Sequence, residues 1–189
     1  ESSSTSAALR RRNEAGFSII ETMVAVTLLA IVSLGVAQLF AVGTLANFRS
    51  KSQTSSTVLA VQKMEQLKGL TWGFDAQGLP VSDTATNLAA AIPTGGGQGL
   101  NPSPDGTLTA NVDGYFDLLD QHGGVAGPGQ ETAYVRRWSI TPLPQNPNNT
   151  LIFQVRVIPA VDVARVDAVA GARSLGETQL ISVKTRKAP

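Results

Sequence analysis

Apolar and polar positions follow three different rhythms along the chain. From Phe17 to Val42, "FSIIETMVAVTLLAIVSLGVAQLFAV", 26 residues carry a single charge, Glu21. As an α-helix this run is ~39 Å long at 1.5 Å per residue. That is enough to cross a hydrocarbon core of about 30 Å with some tilt. From Asn47 to Leu70 no proline occurs and the pattern turns amphipathic. Val58, Val61, Met64, Leu67 and Leu70, with Leu59 beside them, predict one buried helical stripe. Arg49, Lys51, Lys63, Glu65 and Lys68 predict a solvated face, and Gly69 and Gly73 are stop signals. Read as one helix, Phe17 to Leu70 is ~80 Å long, with Gly35 and Gly43 as places where it can loosen.

The third rhythm has period two. "AYVRRWSIT" (Ala133 to Thr141) puts Tyr134, Arg136, Trp138 and Ile140 on one side and Val135, Arg137 and Ser139 on the other. "NTLIFQVRVI" (Asn149 to Ile158) aligns Leu151, Phe153, Val155 and Val157. "TQLISVKT" (Thr178 to Thr185) turns Leu180 or Ile181, and Val183, inward. Alternation with β-branched residues predicts three strands. "PAVDVARVDAVAGARSLGE" between the last two reads as a mobile loop. Residues 71–133 are dominated by loops such as "IPTGGGQGLNPSPDGT" and "HGGVAGPGQ". Within them "TNLAAAI" suits a short helix, "TLTANVD" a short strand, and "GYFDLLDQHG" a helical turn that exposes acids. The expected fold class is α+β: a long N-terminal α-helix packed on a C-terminal antiparallel sheet of three or four strands.

Charge adds direction. Arg10, Arg11 and Arg12 precede the apolar run, against Glu1 and Glu14. From Phe17 onward 12 basic residues balance 12 acidic ones. The excess positive charge places residues 1–16 in the cytoplasm and the remainder outside. The overall charge of +1 offers no broad nucleic-acid footprint, and no nucleic-acid partner is expected. A secretory signal peptide has a shorter apolar region of about 7–15 residues with a cleavage site behind it. A plain signal anchor explains the length and the arginines but not Glu21. An ionised carboxylate in a bilayer costs about 3 kcal/mol or more and is usually paired or functional. The bland reading is that Glu21 snorkels to the interface. The sharper one needs a cation, and no basic residue lies between Phe17 and Phe48. An amino terminus created by cleavage just before Phe17 would supply one.

These residues carry a resemblance. "GFSIIETMVAVTLLAIVSLG" resembles the cleavage and methylation segment of type IV prepilins and type II secretion pseudopilins. That family has a short basic leader ending in glycine, then phenylalanine, then a glutamate as fifth residue of the mature chain. Gly16, Phe17 and Glu21 match position by position, and Arg10 to Arg12 match the leader. The resemblance implies a pilin-like fold, cleavage after Gly16 by a prepilin peptidase, and N-methylation of Phe17. It further implies attraction between the Phe17 ammonium and Glu21 of a neighbouring subunit. In low dielectric such pairing recovers much of the cost of two lone charges. "YVRRWSI", the strand after it, and a terminal strand running into Lys184, Arg186 and Lys187 are similar to the PilV-type minor pilins. The apolar run lacks the proline that many major pilins carry.

The implied organisation is a leader at 1–16, a transmembrane and assembly helix at 17–42, an amphipathic helix at 43–70, a Gly/Pro-rich variable region at 71–132 and a sheet region at 133–189. The implied partners are the prepilin peptidase, other pilin or pseudopilin subunits, the inner-membrane assembly platform and the membrane. The implied role is a minor pilin. A type II secretion or competence pseudopilin is the alternative within the family, and a signal-anchored periplasmic binding module the alternative outside it. The chain opens on glutamate, as expected of a fragment or of a chain with upstream residues.

Enzyme chemistry finds little material. There is no cysteine, which excludes disulfides, thiolate catalysis and cysteine-bound metals. His122 is the single histidine, and no nucleophile elbow accompanies it. "GGGQG" has no Gly-Lys-Ser/Thr after it and is not a phosphate loop. No cofactor is expected. Asp113, Asp117, Asp120 and His122 fall within ten residues, a density of oxygen ligands that suits calcium. Their spacing is not that of an EF-hand, and acids solvating a surface loop is the simpler expectation. The basic tail of Lys184, Arg186 and Lys187 reads as solvated, as short charge runs usually are.

Overall fold

The computed structural model describes residues 16–83, 98–127, 129–169 and 171–186. The chain divides into two compact units, residues 1–45 and residues 46–189. Helix α1, Ile19–Gly69, contributes to both. In the first unit its apolar side chains are exposed all round, from Phe17 and Ile20 to Leu39 and Phe40. It is long and apolar enough to cross a membrane. Its threonine hydroxyls are satisfied within the helix. The hydroxyls of Thr22, Thr27 and Thr44 each donate to the carbonyl four residues back, at 3.3, 2.8 and 2.9 Å. Lipid supplies no hydrogen-bond partner, so this internal pairing is what the bilayer requires. The helix continues through Gly35 and Gly43.

In the second unit α1 buries Ser56, Leu59, Ala60, Lys63, Met64 and Leu67. This stripe is not the one expected. Val58 is 61% and Val61 44% exposed. A strict spacing of three drifts backward around a helix of 3.6 residues per turn, whereas a buried face alternates steps of three and four. The true stripe keeps Leu59, Met64 and Leu67 and draws in Lys63, which is not on the solvated face.

That stripe lies on a four-stranded antiparallel meander of β3 (Phe116–Leu119), β4 (Tyr134–Pro142), β5 (Thr150–Pro159) and β6 (Thr178–Thr185). Register sets Trp138 opposite Val155, Ile140 opposite Phe153, and Val155 opposite Leu180. Leu119, Trp138, Ile140, Leu151, Phe153, Val155 and Val157 join Leu59, Met64 and Leu67 in one core, with Tyr115 and Leu100 closing its edge. The α+β class and its pilin-like architecture are therefore present. The face proposed for "LIFQVRV" is buried as expected.

Other elements differ from expectation. In β6 the period of two carries Leu180 inward, so Ile181 and Val183 both face out. The inward positions beyond Leu180 are Ser182 and Lys184. "GYFDLLDQHG" contributes strand β3 rather than a helical turn. "TLTANVD" forms a turn. Gly106 has φ 80°, and its carbonyl accepts from the amides of Thr109 and Ala110 at 2.9 and 3.0 Å. The expected mobile loop holds helix α2, Ala160–Ala168, which begins directly after Pro159 and turns Val166 inward. Short strands β1 (Trp72–Phe74) and β2 (Pro80–Ser82) form a hairpin no pattern foretold. Gly123 adopts φ +84°, and a Cβ there would sit 2.6 Å from Leu59 Cδ2. "TNLAAAI" lies outside the described residues.

Candidate functional site: an apolar helix with one carboxylate, and a charged core

Gly16 and Phe17 lead into α1, and Glu21 stands in its first turn. Phe17 is 84% exposed. Gly16 has no positive φ, and nothing lies within 4 Å of where its Cβ would be. Nothing in the fold demands glycine there. Among the described residues no ion pair includes Glu21, and the leader arginines Arg10, Arg11 and Arg12 lie outside those residues. The helix N-terminus attracts a first-turn carboxylate by about 0.3–1 kcal/mol. That offsets only part of the roughly 3 kcal/mol cost of a charge in lipid. The helix alone does not account for the acid.

The second unit holds a charged cluster where α1 meets the sheet. Asp117 on β3 lies buried opposite Arg136 on β4. Arg136 donates to Asp117 Oδ2 through Nε and Nη2 at 3.0 and 2.6 Å. Its Nη1 donates to the Leu59 carbonyl at 3.1 Å and to Gln62 Oε1 at 3.3 Å, which ties the sheet to α1. Lys63, 2% exposed, reaches the same Oδ2 at 3.4 Å. Its ammonium also sits 3.5 Å from the centroid of the Trp138 ring. Two cations thus share one carboxylate. Burial pushes the Lys63 amine down from 10.5 to about 8, with Asp117 opposing and Arg136 adding to the shift.

The opposite face of the sheet repeats the theme. Arg137 and Arg156 stand directly across from each other. Arg137 grips Asp167 of α2 with two bonds of 2.7 and 2.8 Å and Asn111 Oδ1 with a third of 2.8 Å. Arg156 grips Glu177 at 2.8 and 3.1 Å and donates to the carbonyls of Leu108 and Ala172. Such paired forks hold α2 and two loops on the sheet. Arg136 and Arg137 do face opposite ways, as alternation implied. Their acids were not legible, because Asp117, Asp167 and Glu177 meet them only through the register and the loops. The available signal was three arginines inside otherwise apolar strands, which need buried partners.

The calcium hypothesis finds no convergence. Asp117 faces the core cluster and is not a solvated loop acid. Asp120 closes its own turn, accepting from the amides of His122 and Gly124 at 2.7 and 2.9 Å, and these bonds hold its carboxyl below the usual range. Asp113 is exposed. Among the described residues no group of three or more His, Cys, Asp or Glu side chains gathers as a metal site.

The basic tail is also not simply solvated. Lys184 donates to the carbonyls of Lys68 and Leu70 at the end of α1. Burial lowers its pKa, with Asp83 opposing. Arg186 donates to the Gly73 and Val81 carbonyls at 2.7 and 3.1 Å and stacks 3.7 Å over the Trp72 ring. It fastens the β1–β2 hairpin. Lys187 lies outside the described residues.

A long, partly apolar N-terminal helix followed by a four-stranded antiparallel sheet is a pilin-like architecture. Residues 11–37 match the prokaryotic N-terminal methylation motif, which spans Gly16, Phe17 and Glu21. No curated protein and no solved structure matches the chain.

Proposed function

We propose that the chain is a minor pilin subunit whose work is assembly rather than catalysis. The leader at 1–16 is removed after Gly16 by a prepilin peptidase, and Phe17 becomes the N-methylated terminus. Residues 17–42 then span the inner membrane and form the fibre core. Residues 43–70 continue as the amphipathic helix, 71–132 form the variable region, which lends strand β3 to the sheet, and 133–189 form the rest of the sheet region on the periplasmic side. The observation that carries this reading is Glu21. It is the one charge of an exposed apolar helix, without a partner among the described residues, five positions into the would-be mature chain. A neighbour's Phe17 ammonium answers its cost, so the pair favours the assembled state and sets axial register. The fold's indifference to a side chain at Gly16 supports a role in recognition by the peptidase. Neighbouring subunits and the inner-membrane platform complete the partner set.

The test is co-expression with an active prepilin peptidase, followed by intact-mass and N-terminal analysis. The expected product begins at methylated Phe17, and Gly16→Val abolishes it. Glu21→Ala is expected to insert and be cleaved but to be lost from fibres purified from a pilus-assembling host. An unprocessed chain beside a processed control would overturn the reading in favour of a signal-anchored module. Undiminished incorporation of Glu21→Ala would overturn the pairing role.

A further inference from the structure

We propose that the outer edge of β6 pairs with the same edge of a second copy of this chain, antiparallel about a two-fold axis at Ser182. This goes beyond the reading as a pilin and uses residues of the second unit alone. The meander β3-β4-β5-β6 has two ends. The β3 end is covered: Ala126 donates its amide to the Leu118 carbonyl at 2.8 Å, and Leu119 bridges Val125. The β6 end is open. β6 pairs with β5 through all eight residues, Thr178 to Thr185, without a bulge. In an antiparallel pair alternate residues turn both N–H and C=O away from the partner strand. Among the described residues no amide or carbonyl from Thr178 to Thr185 has a backbone bond apart from those to β5. Exposed edges are commonly blunted by proline, a bulge or a charge. β6 has no proline, and its one charge, Lys184, is turned inward onto the carbonyls of Lys68 and Leu70.

The edge itself specifies the occupant. A row of free amides and carbonyls along a strand is matched by another extended backbone. The outward side chains say which one. Gln179, Ile181, Val183 and Thr185 are all exposed, Ile181 by 67% and Val183 by 56%. The series runs polar, apolar, apolar, polar, so it is the same in both directions. A two-fold axis at Ser182 sets Ile181 opposite Val183 and Gln179 opposite Thr185 on one face of the joined sheet. On the other face it sets Ser182 opposite Ser182 and Leu180 opposite Lys184, whose amine is already engaged by α1. No like charges meet across the join. Such an isologous contact also closes on itself. The combined sheet ends on the covered β3 edge at both sides, so no open edge is left for a third chain.

The chain has no cysteine, so introduced ones are unambiguous. The test uses the full chain in detergent, with micelles in excess over protein. Sedimentation equilibrium should show a concentration-dependent dimer. Mixing Gln179→Cys and Thr185→Cys chains under a mild oxidant should give a disulfide between them. In the join these two positions lie about 5 Å apart at Cα, whereas each lies ~20 Å from its own counterpart. Either variant alone should therefore cross-link about tenfold less than the mixture. Ile181→Lys with Val183→Lys sets lysine opposite lysine at exposed positions. It should keep the wild-type urea midpoint and weaken the dimer about tenfold or more. A chain that stays monomeric throughout overturns the proposal. Cross-linking of either single variant as strong as that of the mixture overturns it in favour of contact through another surface, as does a dimer indifferent to the two lysines. If the lysine variant does not fold, the comparison of the mixture with the single variants decides alone.

Discussion

Replacing Lys63 with methionine tests the charged core directly. The cluster holds two cations and one carboxylate, all buried, so it carries a surplus positive charge. Arg136 alone gives Asp117 two bonds, both to Oδ2, and itself also donates to the Leu59 carbonyl and Gln62. Lys63 is the surplus partner. Its amine falls from 10.5 to about 8 on folding, chiefly through burial. A shift of that size corresponds to about 3 kcal/mol against the charged form. Between about 8 and 10.5 the unfolded chain holds a proton the folded chain releases, so stability rises with pH across that window and the full penalty stands below it. Methionine matches the stem in length and removes the charge. It also removes the contact with the Trp138 ring, worth about 1–2 kcal/mol for a desolvated cation. The net expectation at neutral pH is a gain of about 1–2 kcal/mol, the difference between those estimates. Urea unfolding of the full chain in detergent, followed by tryptophan fluorescence at pH 7 and pH 9.5, reads both effects. Wild type should gain stability at the higher pH. Lys63→Met should lose most of that gain, keeping only the part due to Lys184, whose pKa is also lowered. A loss of stability in Lys63→Met at pH 7, or a wild type indifferent to pH in this range, would refute the surplus-charge argument.

Asp117→Asn removes the one negative charge and leaves Lys63 and Arg136 facing each other. It should cost about 3–5 kcal/mol, as for a broken buried pair, read as a lowered urea midpoint, and adding Lys63→Met should recover part of the loss. Arg186→Ala should free the β1–β2 hairpin and cost about 1–2 kcal/mol through the lost cation–ring contact and hydrogen bonds. Stronger acrylamide quenching of Trp72 is the readout, and unchanged quenching would return Arg186 to the solvent.

The legible parts of this protein are those whose signal is local. An unbroken apolar run, an acid at a fixed distance from glycine and phenylalanine, and strands that alternate at period two depend on neighbours in the chain. The sequence alone therefore determined the apolar helix, the candidate cleavage and pairing residues Gly16, Phe17 and Glu21, and the α+β class. It also placed Leu151, Phe153, Val155 and Val157 on one face, because apolar residues recur there at period two with Gln154 and Arg156 between them.

What depended on partners far along the chain was decided by the tertiary structure. Lys63 reads as a solvated residue until β3 delivers Asp117 and β4 delivers Trp138 beneath it. Val183 reads as core until its register with Ile152 turns it outward. The terminal Lys184 and Arg186 read as a free basic tail until β6 carries them to the end of α1 and to the hairpin. α2 reads as a loop because its one buried side chain, Val166, gives a short helix almost no periodic signal. Its place comes instead from the fork between Asp167 and Arg137, thirty residues apart. Hydropathy reports how much a residue prefers to leave water, but a charged residue is buried only where a fold brings its counter-charge, and that pairing is a property of three dimensions.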